Sequence, residues 1–192
     1  MNILGLSFDY HDAAAALLMN GEIVAAAEEE RFSRNKNDAN YPARAIAFCL
    51  DQGGIDASQI DAVVFYEFPM LKFERIIDRA ARSFPQGIGF LKGAAESWFR
   101  KGKFDISERI VADLKIAHEK IHCIRHHTSH AAAAFYCSPF EEASIITIDG
   151  AGEFETATLG TGGPGGLTVV DSFTYPHSIG LLYSALTAFL GF

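Results

Sequence analysis

A pattern of three short strands occurs twice in the chain, and this duplication constrains the fold more than any other sequence feature. The first copy reads "NILGLSF", "AAAALLM" and "EIVAAAEEE", and the second reads "ASIITIDGAG", "EFETATLGTG" and "GLTVVDSFTY". Each copy opens with an apolar strand that leads to an aspartate, Asp9 or Asp149. Asn20 and Gly21 predict a hairpin turn in the first copy, because both tolerate positive φ. A duplicated unit of this kind predicts two related lobes.

The segment between the two copies alternates helical and strand patterns. A helix is predicted from Pro42 to Gln52, a strand at "DAVVFYE", mostly helix from Met70 to Ala117, a strand at "KIHCIRH" and a helix at "SHAAAAFYCS". This order predicts an α/β chain of the actin-like, ribonuclease-H-like ATPase fold, in which ligands bind where strand ends and turns converge.

The predicted organisation is one complete βββαβα lobe followed by the beginning of a second. The first lobe comprises residues 1–142, with a helical insertion at about 70–118, and residues 143–192 begin the second lobe. The last predicted helix, "SIGLLYSALTAFLGF", ends without a polar tail. We therefore expect the second lobe to be truncated.

Composition narrows the classes of partner. The net charge of −8 argues against binding to a nucleic-acid backbone, which requires a basic face. The sequence contains no run of eighteen apolar residues, so no membrane span is predicted. The N-terminus lacks the features of a signal peptide. The three cysteines lie in apolar surroundings and are typical of reduced core cysteines, not of a disulfide framework. We expect a cytoplasmic protein that binds neither nucleic acid nor membrane.

His126 and His130 are candidate metal ligands. In a helix, a spacing of four residues places both rings on one face, and Asp149, at the end of a buried strand, is the candidate third ligand. Two imidazoles and a carboxylate suit Fe(II), Zn(II) or Mn(II), with Fe(II) expected first. By itself such a pair is a weak signal, because most histidine pairs at this spacing are surface or helix-capping residues. His127 lies off this face and is predicted to be structural or to support the ligands.

Gly150 and Gly152 follow Asp149 and are candidate contacts for a phosphate-bearing ligand. Glycines after a strand allow backbone N–H groups to approach a phosphate closely, while the aspartate holds the accompanying cation. An ordinary tight turn would show the same residues.

The corresponding turn of the first copy contains His11, which could act as a general base near neutral pH. The charged run "EEERFSRNKND" after the third strand carries Arg34 and Lys36, and fixed cations beside a cleft stabilise anionic groups. The competing interpretations are a solvated turn for His11 and a solvated loop for the charged run.

Taken together, these segments resemble the O-carbamoyltransferase family that includes the nodulation, cephalosporin and aminoglycoside carbamoyltransferases. The resemblance spans nearly the whole chain in the family's order and is weakest from Met70 to His118. It is carried by "GLSFDYHDAAAAL", "AAAEEERFSRNKND", "HHTSHAAAAFYCSPF", "IITIDGAGEFETATLG" and "SIGLLYSALTAFLGF". The family is also related to the threonylcarbamoyl-transferring tRNA-modification proteins.

The resemblance implies a reaction and a role for each site residue. Carbamoyl phosphate and ATP would give carbamoyl adenylate, from which the carbamoyl group passes to a hydroxyl of a small-molecule acceptor. His126, His130 and Asp149 would ligate the metal, His11 would be the base, and Lys36 a cation at the reacting group. The family's further metal-ligating carboxylate and its adenylate-forming domain have no counterpart in these residues. We therefore expect this chain to be inactive alone and to need the missing C-terminal parts of the same polypeptide.

Three alternatives remain at the level of sequence. An actin-like kinase or ATPase would hold Mg²⁺ through carboxylates and water and would not need paired histidines. Threonylcarbamoyl transfer to tRNA would share the metal motif but would require a salt-sensitive tRNA complex. A non-catalytic domain would bind a nucleotide or a partner without turnover.

Overall fold

The computed structural model describes residues 1–192 and divides into two units. The first unit comprises residues 1–66 and 92–123, and the second comprises residues 67–91 and 124–192. The strands are β1 (Asn2–Ser7), β2 (Ala14–Met19), β3 (Glu22–Glu28), β4 (Ala62–Phe65), β5 (Ile121–Cys123), β6 (Ala143–Ile148), β7 (Glu155–Gly163) and β8 (Gly166–Thr174). The α-helices are α1 (Glu30–Ser33), α2 (Ala43–Gly53), α3 (Pro69–Arg82), α4 (Gly87–Arg100), α5 (Ile106–Leu114), α6 (His126–Tyr136) and α7 (Ile179–Leu190).

The first unit contains a five-stranded sheet in the order β3-β2-β1-β4-β5. Strands β1, β2 and β3 form an antiparallel meander, whereas β4 and β5 extend the sheet in parallel from β1. A meander followed by parallel strands on its far side is the arrangement of a ribonuclease-H-like lobe. The structure thus confirms the predicted fold class.

Local sequence signals account for the elements of this unit. Asn20 and Gly21 have φ values of 54° and 90°, as the predicted hairpin turn requires. Gly54 ends α2 in the left-handed conformation. Alternate residues of the first strand and its extension are buried, namely Leu4, Leu6 and Phe8. Each buried side chain of this size contributes about 1.5–3 kcal/mol, so the alternation fixes which face of the sheet is covered.

The second unit contains the second predicted meander, an antiparallel sheet in the order β6-β7-β8. Helix α6 packs on this sheet through Ala131 and Phe135, which are buried with Ile145 of β6. Gly162 of β7 allows this approach, since a Cβ there would lie 2.7 Å from the ring of Phe135. The sheet and α6 together position the histidines of α6 near the end of β6.

One local prediction is corrected. Helix α6 begins at His126, earlier than the helix predicted from Ser129, because the carboxylate of Glu153 accepts from the His126 N–H and supplies the missing cap. The charged run after β3 begins with one helical turn, α1, and continues as an exposed loop. Here the N–H groups of Phe32 and Ser33 both bond to the carbonyl of Glu29.

The helical prediction between Met70 and Ala117 is confirmed by α3, α4 and α5. The two units do not divide between residues 142 and 143, where the boundary between the two lobes was predicted. That lobe boundary stays a prediction. None of the helices combines the length and apolar character that a membrane span requires.

Candidate metal centre

His126 and His130 lie one turn apart on the same face of α6, as their spacing predicts. Their Nε2 atoms are 3.0 Å apart, and their rings meet edge to face with centroids 4.6 Å apart. Two neutral imidazole nitrogens at this distance cannot both direct a proton at each other. Either one nitrogen donates a hydrogen bond to the other, or both offer their lone pairs to one metal ion.

Asp149 follows β6 directly and completes the cluster. Its Oδ2 lies 2.7 Å from Nε2 of His126 and 3.9 Å from Nε2 of His130. The hydrogen bond from His126, followed by the interaction with His130, holds the pKa of the Asp149 carboxyl well below its usual range. The carboxylate is therefore ionised near neutral pH, as a metal ligand must be.

The three donor atoms fit a divalent transition metal in both chemistry and spacing. They all lie within 4.8 Å of one another. The three atoms form a triangle with sides of 3.0, 2.7 and 3.9 Å, so the point equidistant from them in their plane lies about 2.0 Å from each. This matches ordinary metal–nitrogen and metal–oxygen bonds of about 2.0–2.2 Å. Two imidazoles and one carboxylate are a donor set typical of Fe(II), Zn(II) and Mn(II).

Backbone contacts hold Asp149 at this position. Its N–H donates to the carbonyl of Thr156 at 2.9 Å. The Ser178 hydroxyl, which caps α7, lies 2.7 Å from the carbonyl oxygen of Gly150 and accepts from the N–H of Leu181. Gly180 in the first turn of α7 lies against the same turn, because a Cβ there would be 2.5 Å from the Asp149 carbonyl carbon and oxygen. The beginning of α7 thus packs against the Asp149 turn and holds it in place.

The two glycines after Asp149 have different roles in this structure. The Gly150 N–H lies 2.6 Å from Oδ1 of Asp149, and the Gly152 N–H donates to the carbonyl of Glu155 at 2.8 Å. A Cβ on Gly152 would lie 3.1 Å from the Cβ of His126, so this glycine permits the close approach of α6. Phosphate binding by these amides stays a prediction, and a phosphate would compete with these internal acceptors.

His127 is buried and structural, in agreement with its expected position off the ligand face. Its Nε2 donates to the carbonyl of Glu155 at 3.0 Å, so its Nδ1 accepts from the Thr147 hydroxyl at 2.6 Å. Thr158 lies 2.7 Å from the same hydroxyl and extends the chain of hydrogen bonds. Burial lowers the pKa of His127, which keeps the ring neutral and anchors α6 to the sheet.

Three charged residues near the centre were missed by sequence reasoning. Glu153 is fully buried and accepts from the N–H groups of His126 and Phe68. Glu67 forms a partly buried ion pair with Lys72 and lies 3.9 Å from Nδ1 of His126. A signal existed for Glu67, since it ends the buried strand "DAVVFYE" as Asp149 ends its own strand. Neither Glu153 nor Lys72 has a comparable signal.

His11 lies in the first unit, in the turn that follows β1. Its Nδ1 is 2.7 Å from Oδ2 of Asp12, which fixes the proton on Nδ1 and leaves Nε2 as the lone-pair nitrogen. The ring is exposed and contacts the ring of Tyr10. This arrangement suits a general base, although the role of His11 stays a prediction.

Arg34 and Lys36 lie in the loop after α1, also in the first unit, and both are exposed. This loop continues to Asp38 and Ala39, whose carbonyls accept from the N–H groups of Ala13 and Asp9. The backbone therefore joins the loop that follows Lys36 to the two ends of the His11 turn. The cationic roles of both residues stay predictions.

The first unit has the strand order of a ribonuclease-H-like lobe, and the second unit carries a candidate centre of two histidines and one carboxylate. The sequence matches the family described as "Carbamoyltransferase N-terminus" over residues 2–192. The chain therefore belongs to the carbamoyltransferase N-terminus family, and the resemblance inferred from its motifs is confirmed.

Several proteins are similar to this chain. It is 41% identical over 197 residues to an uncharacterized protein, sll1178, of Synechocystis sp., covering 100% of the chain and 32% of that protein. It is 32% identical over 187 residues to nodulation protein NolNO of Sinorhizobium fredii, covering 95% of the chain and 26% of that protein. The chain thus spans a third or less of the length of these relatives.

The chain is also similar to a solved structure, YeaZ from Pseudomonas aeruginosa, at 16% identity with a TM-score of 0.45. The similarity covers 92% of this chain and 69% of the YeaZ chain. At this TM-score the likeness adds nothing to the fold assignment, which rests on the strand order.

Proposed function

We propose that the chain is the N-terminal part of an O-carbamoyltransferase, which transfers a carbamoyl group from carbamoyl adenylate to a hydroxyl of a small-molecule acceptor. Membership of the carbamoyltransferase N-terminus family supports carbamoyl transfer as the reaction class. The observation that carries the proposal is the convergence of His126, His130 and Asp149 within ligand distance of one another. A kinase of the same fold holds Mg²⁺ through oxygen ligands and has no need of two imidazoles.

His126, His130 and Asp149 would hold a divalent metal, with Fe(II) expected first and Zn(II) or Mn(II) as alternatives. The bound metal would supply positive charge at the phosphate of carbamoyl adenylate. The remaining tasks fall to side chains and amides of the protein. Gly150 and Gly152 would donate to phosphate oxygens, and Arg34 would contribute a further cation.

The transfer step requires a base and a site for negative charge. The acceptor oxygen bonds to the carbamoyl carbon, the bond from that carbon to the AMP oxygen breaks, and the hydroxyl proton passes to Nε2 of His11. Asp12, 2.7 Å from Nδ1, would stabilise the resulting imidazolium. Lys36 would stabilise the negative charge that develops on the carbamoyl oxygen.

Further parts of the same polypeptide are proposed as partners. Carbamoyl phosphate and ATP would be converted to carbamoyl adenylate in a C-terminal domain, and the second lobe would be completed by residues outside this chain. Exposed apolar side chains support this proposal, because such patches mark surfaces that other protein covers. On α7 they include Leu182, Tyr183 and Phe189. We therefore expect the 192-residue chain to show no turnover by itself.

The test uses the complete polypeptide with ATP and carbamoyl phosphate. We expect pyrophosphate release only when carbamoyl phosphate is present, and accumulation of an adenylate in the His11→Ala variant. The matched control is His118→Ala, which removes another exposed histidine of the first unit. That variant should transfer the carbamoyl group normally.

Other products would identify other functions. Release of ADP and phosphate regardless of carbamoyl phosphate would replace the proposal with a kinase-like activity. A tight, salt-sensitive complex with tRNA would favour threonylcarbamoyl transfer. Ligand binding without any turnover would indicate a non-catalytic domain.

A further inference from the structure

The carboxylate of Glu67 lies beside the nitrogen of His126 that does not face the candidate metal centre. Nε2 of His126 faces Asp149 and His130, whereas Nδ1 is buried and lies 3.9 Å from Oε2 of Glu67. Both side chains are largely buried, at 12% and 9% exposure. The two nitrogens of one ring therefore face two different acidic environments.

This division matters because only one tautomer of a neutral imidazole can bind a metal through Nε2. That nitrogen must offer its lone pair, so the proton must reside on Nδ1. A carboxylate near Nδ1 stabilises that proton electrostatically, and the interaction is strong where water is excluded. At 3.9 Å the contact exceeds hydrogen-bond distance, so in this structure its effect is one of charge.

Glu153 fixes the relative position of Glu67 and His126 through the backbone. One oxygen of this buried carboxylate accepts from the N–H of Phe68, the residue after Glu67, at 2.8 Å. Both of its oxygens accept from the N–H of His126 at 3.1 Å. A single side chain thus joins the end of the segment that follows β4 to the first turn of α6.

Lys72 completes the arrangement. Its Nζ lies 2.7 Å from Oε2 of Glu67, the same oxygen that faces His126. This ion pair compensates the charge of a carboxylate that would otherwise be costly to bury. It also offers a competing explanation of Glu67, namely that it serves only to pair with Lys72.

We propose that Glu67 is a positioning residue for His126, which favours the tautomer with its proton on Nδ1 and thereby strengthens metal binding at Nε2. Glu153 holds the two residues in register, and Lys72 keeps the Glu67 carboxylate in place. This inference rests on the proposed metal centre and extends it to residues that do not touch the metal.

The test measures the affinity of the complete polypeptide for Co²⁺ by competition with a chromophoric chelator, with folding followed by thermal unfolding. We expect Glu67→Gln to lower the affinity about ten- to a hundredfold, as for other changes to partners of metal ligands. Glu74→Gln is the matched control, because it makes the same chemical change at an exposed position of α3, the helix that follows Glu67. Its affinity should equal that of the unaltered protein.

A double variant separates positioning from stability. Glu67→Gln with Lys72→Met removes both members of the buried pair and so avoids leaving one charge alone. The proposal predicts that this variant regains thermal stability while its Co²⁺ affinity stays low. Recovery of native affinity in the double variant, or unchanged affinity in Glu67→Gln, would overturn it. Failure of the unaltered protein to bind Co²⁺ would instead refute the metal centre itself.

Discussion

Gly180 allows a sharp test of how the candidate metal centre is supported. This glycine lies in the first turn of α7, against the backbone of the Asp149 turn. A Cβ at this position would lie 2.5 Å from the carbonyl carbon and oxygen of Asp149 and 2.6 Å from the nitrogen of Gly150. These are backbone atoms, which cannot rotate away as the end of a flexible side chain can.

The size of the disturbance follows from these distances. Non-bonded carbon atoms require about 3.5 Å, so Gly180→Ala forces a displacement of about 1 Å. Overpacking of this kind costs about 1–3 kcal/mol in the free energy of unfolding. Metal ligands tolerate deviations of only about 0.2 Å, so a shifted Asp149 should lower metal affinity at least about tenfold.

The displacement could be absorbed by α7 instead of Asp149, but two contacts oppose this. Ser178 bonds to the Gly150 carbonyl, and the Thr156 hydroxyl donates to the carbonyl of His177 at 2.5 Å. These contacts hold the beginning of α7 to the sheet and to the Asp149 turn.

The assay combines urea unfolding with a titration of Co²⁺ affinity. Gly89→Ala is the control, since a Cβ there would meet nothing within 4 Å and should stabilise helix α4 slightly. If Gly180→Ala lowers both the free energy of unfolding and the Co²⁺ affinity, and Gly89→Ala lowers neither, the packing of α7 supports the position of Asp149. Native Co²⁺ affinity in Gly180→Ala would show that Asp149 does not depend on the packing of α7.

Further predictions concern buried polar groups and thiols. His127→Leu should lower the free energy of unfolding by about 1–3 kcal/mol in chemical denaturation, because it leaves buried hydrogen-bonding groups unsatisfied; an unchanged midpoint would contradict this. Glu29 accepts from the N–H groups of Arg44 and Ala45 at the beginning of α2, so Glu29→Gln should lower the melting temperature, with loss of about 1–2 kcal/mol. A thiol reagent at pH 8 should label exposed Cys137 and spare Cys49, because burial raises the pKa of Cys49. Peptide mass spectrometry measures the labelling of each cysteine, and faster labelling of Cys49 would contradict this prediction.

The sequence predicted the features of the fold and site that depend on periodicity and local chemistry. The duplicated meander follows from apolar alternation and turn residues, and the pairing of His126 with His130 follows from helical spacing. Asp149 could be added because it ends a buried strand. Each of these inferences needs only the side-chain type and its position in the chain.

The supporting contacts could not be predicted in the same way. Glu153 acts by accepting from backbone N–H groups of residues 27 and 85 positions earlier in the chain. Every residue except proline carries such an N–H group, so no sequence pattern identifies the partners. The same limitation explains the early start of α6, whose cap comes from Glu153 and not from a neighbouring residue. The role of Gly180 could not be predicted from the sequence either, because it depends on the space that this glycine leaves for the backbone of Asp149.

The most direct test of the candidate metal centre is a crystal structure of the complete polypeptide prepared with Fe²⁺ under anaerobic conditions, with data collected at the iron absorption edge. The account predicts one anomalous peak per chain, within bonding distance of Nε2 of His126, Nε2 of His130 and a carboxylate oxygen of Asp149. Absence of a peak at this position, with the His126 and Asp149 side chains still hydrogen-bonded to each other, would contradict the claim that these residues bind a metal.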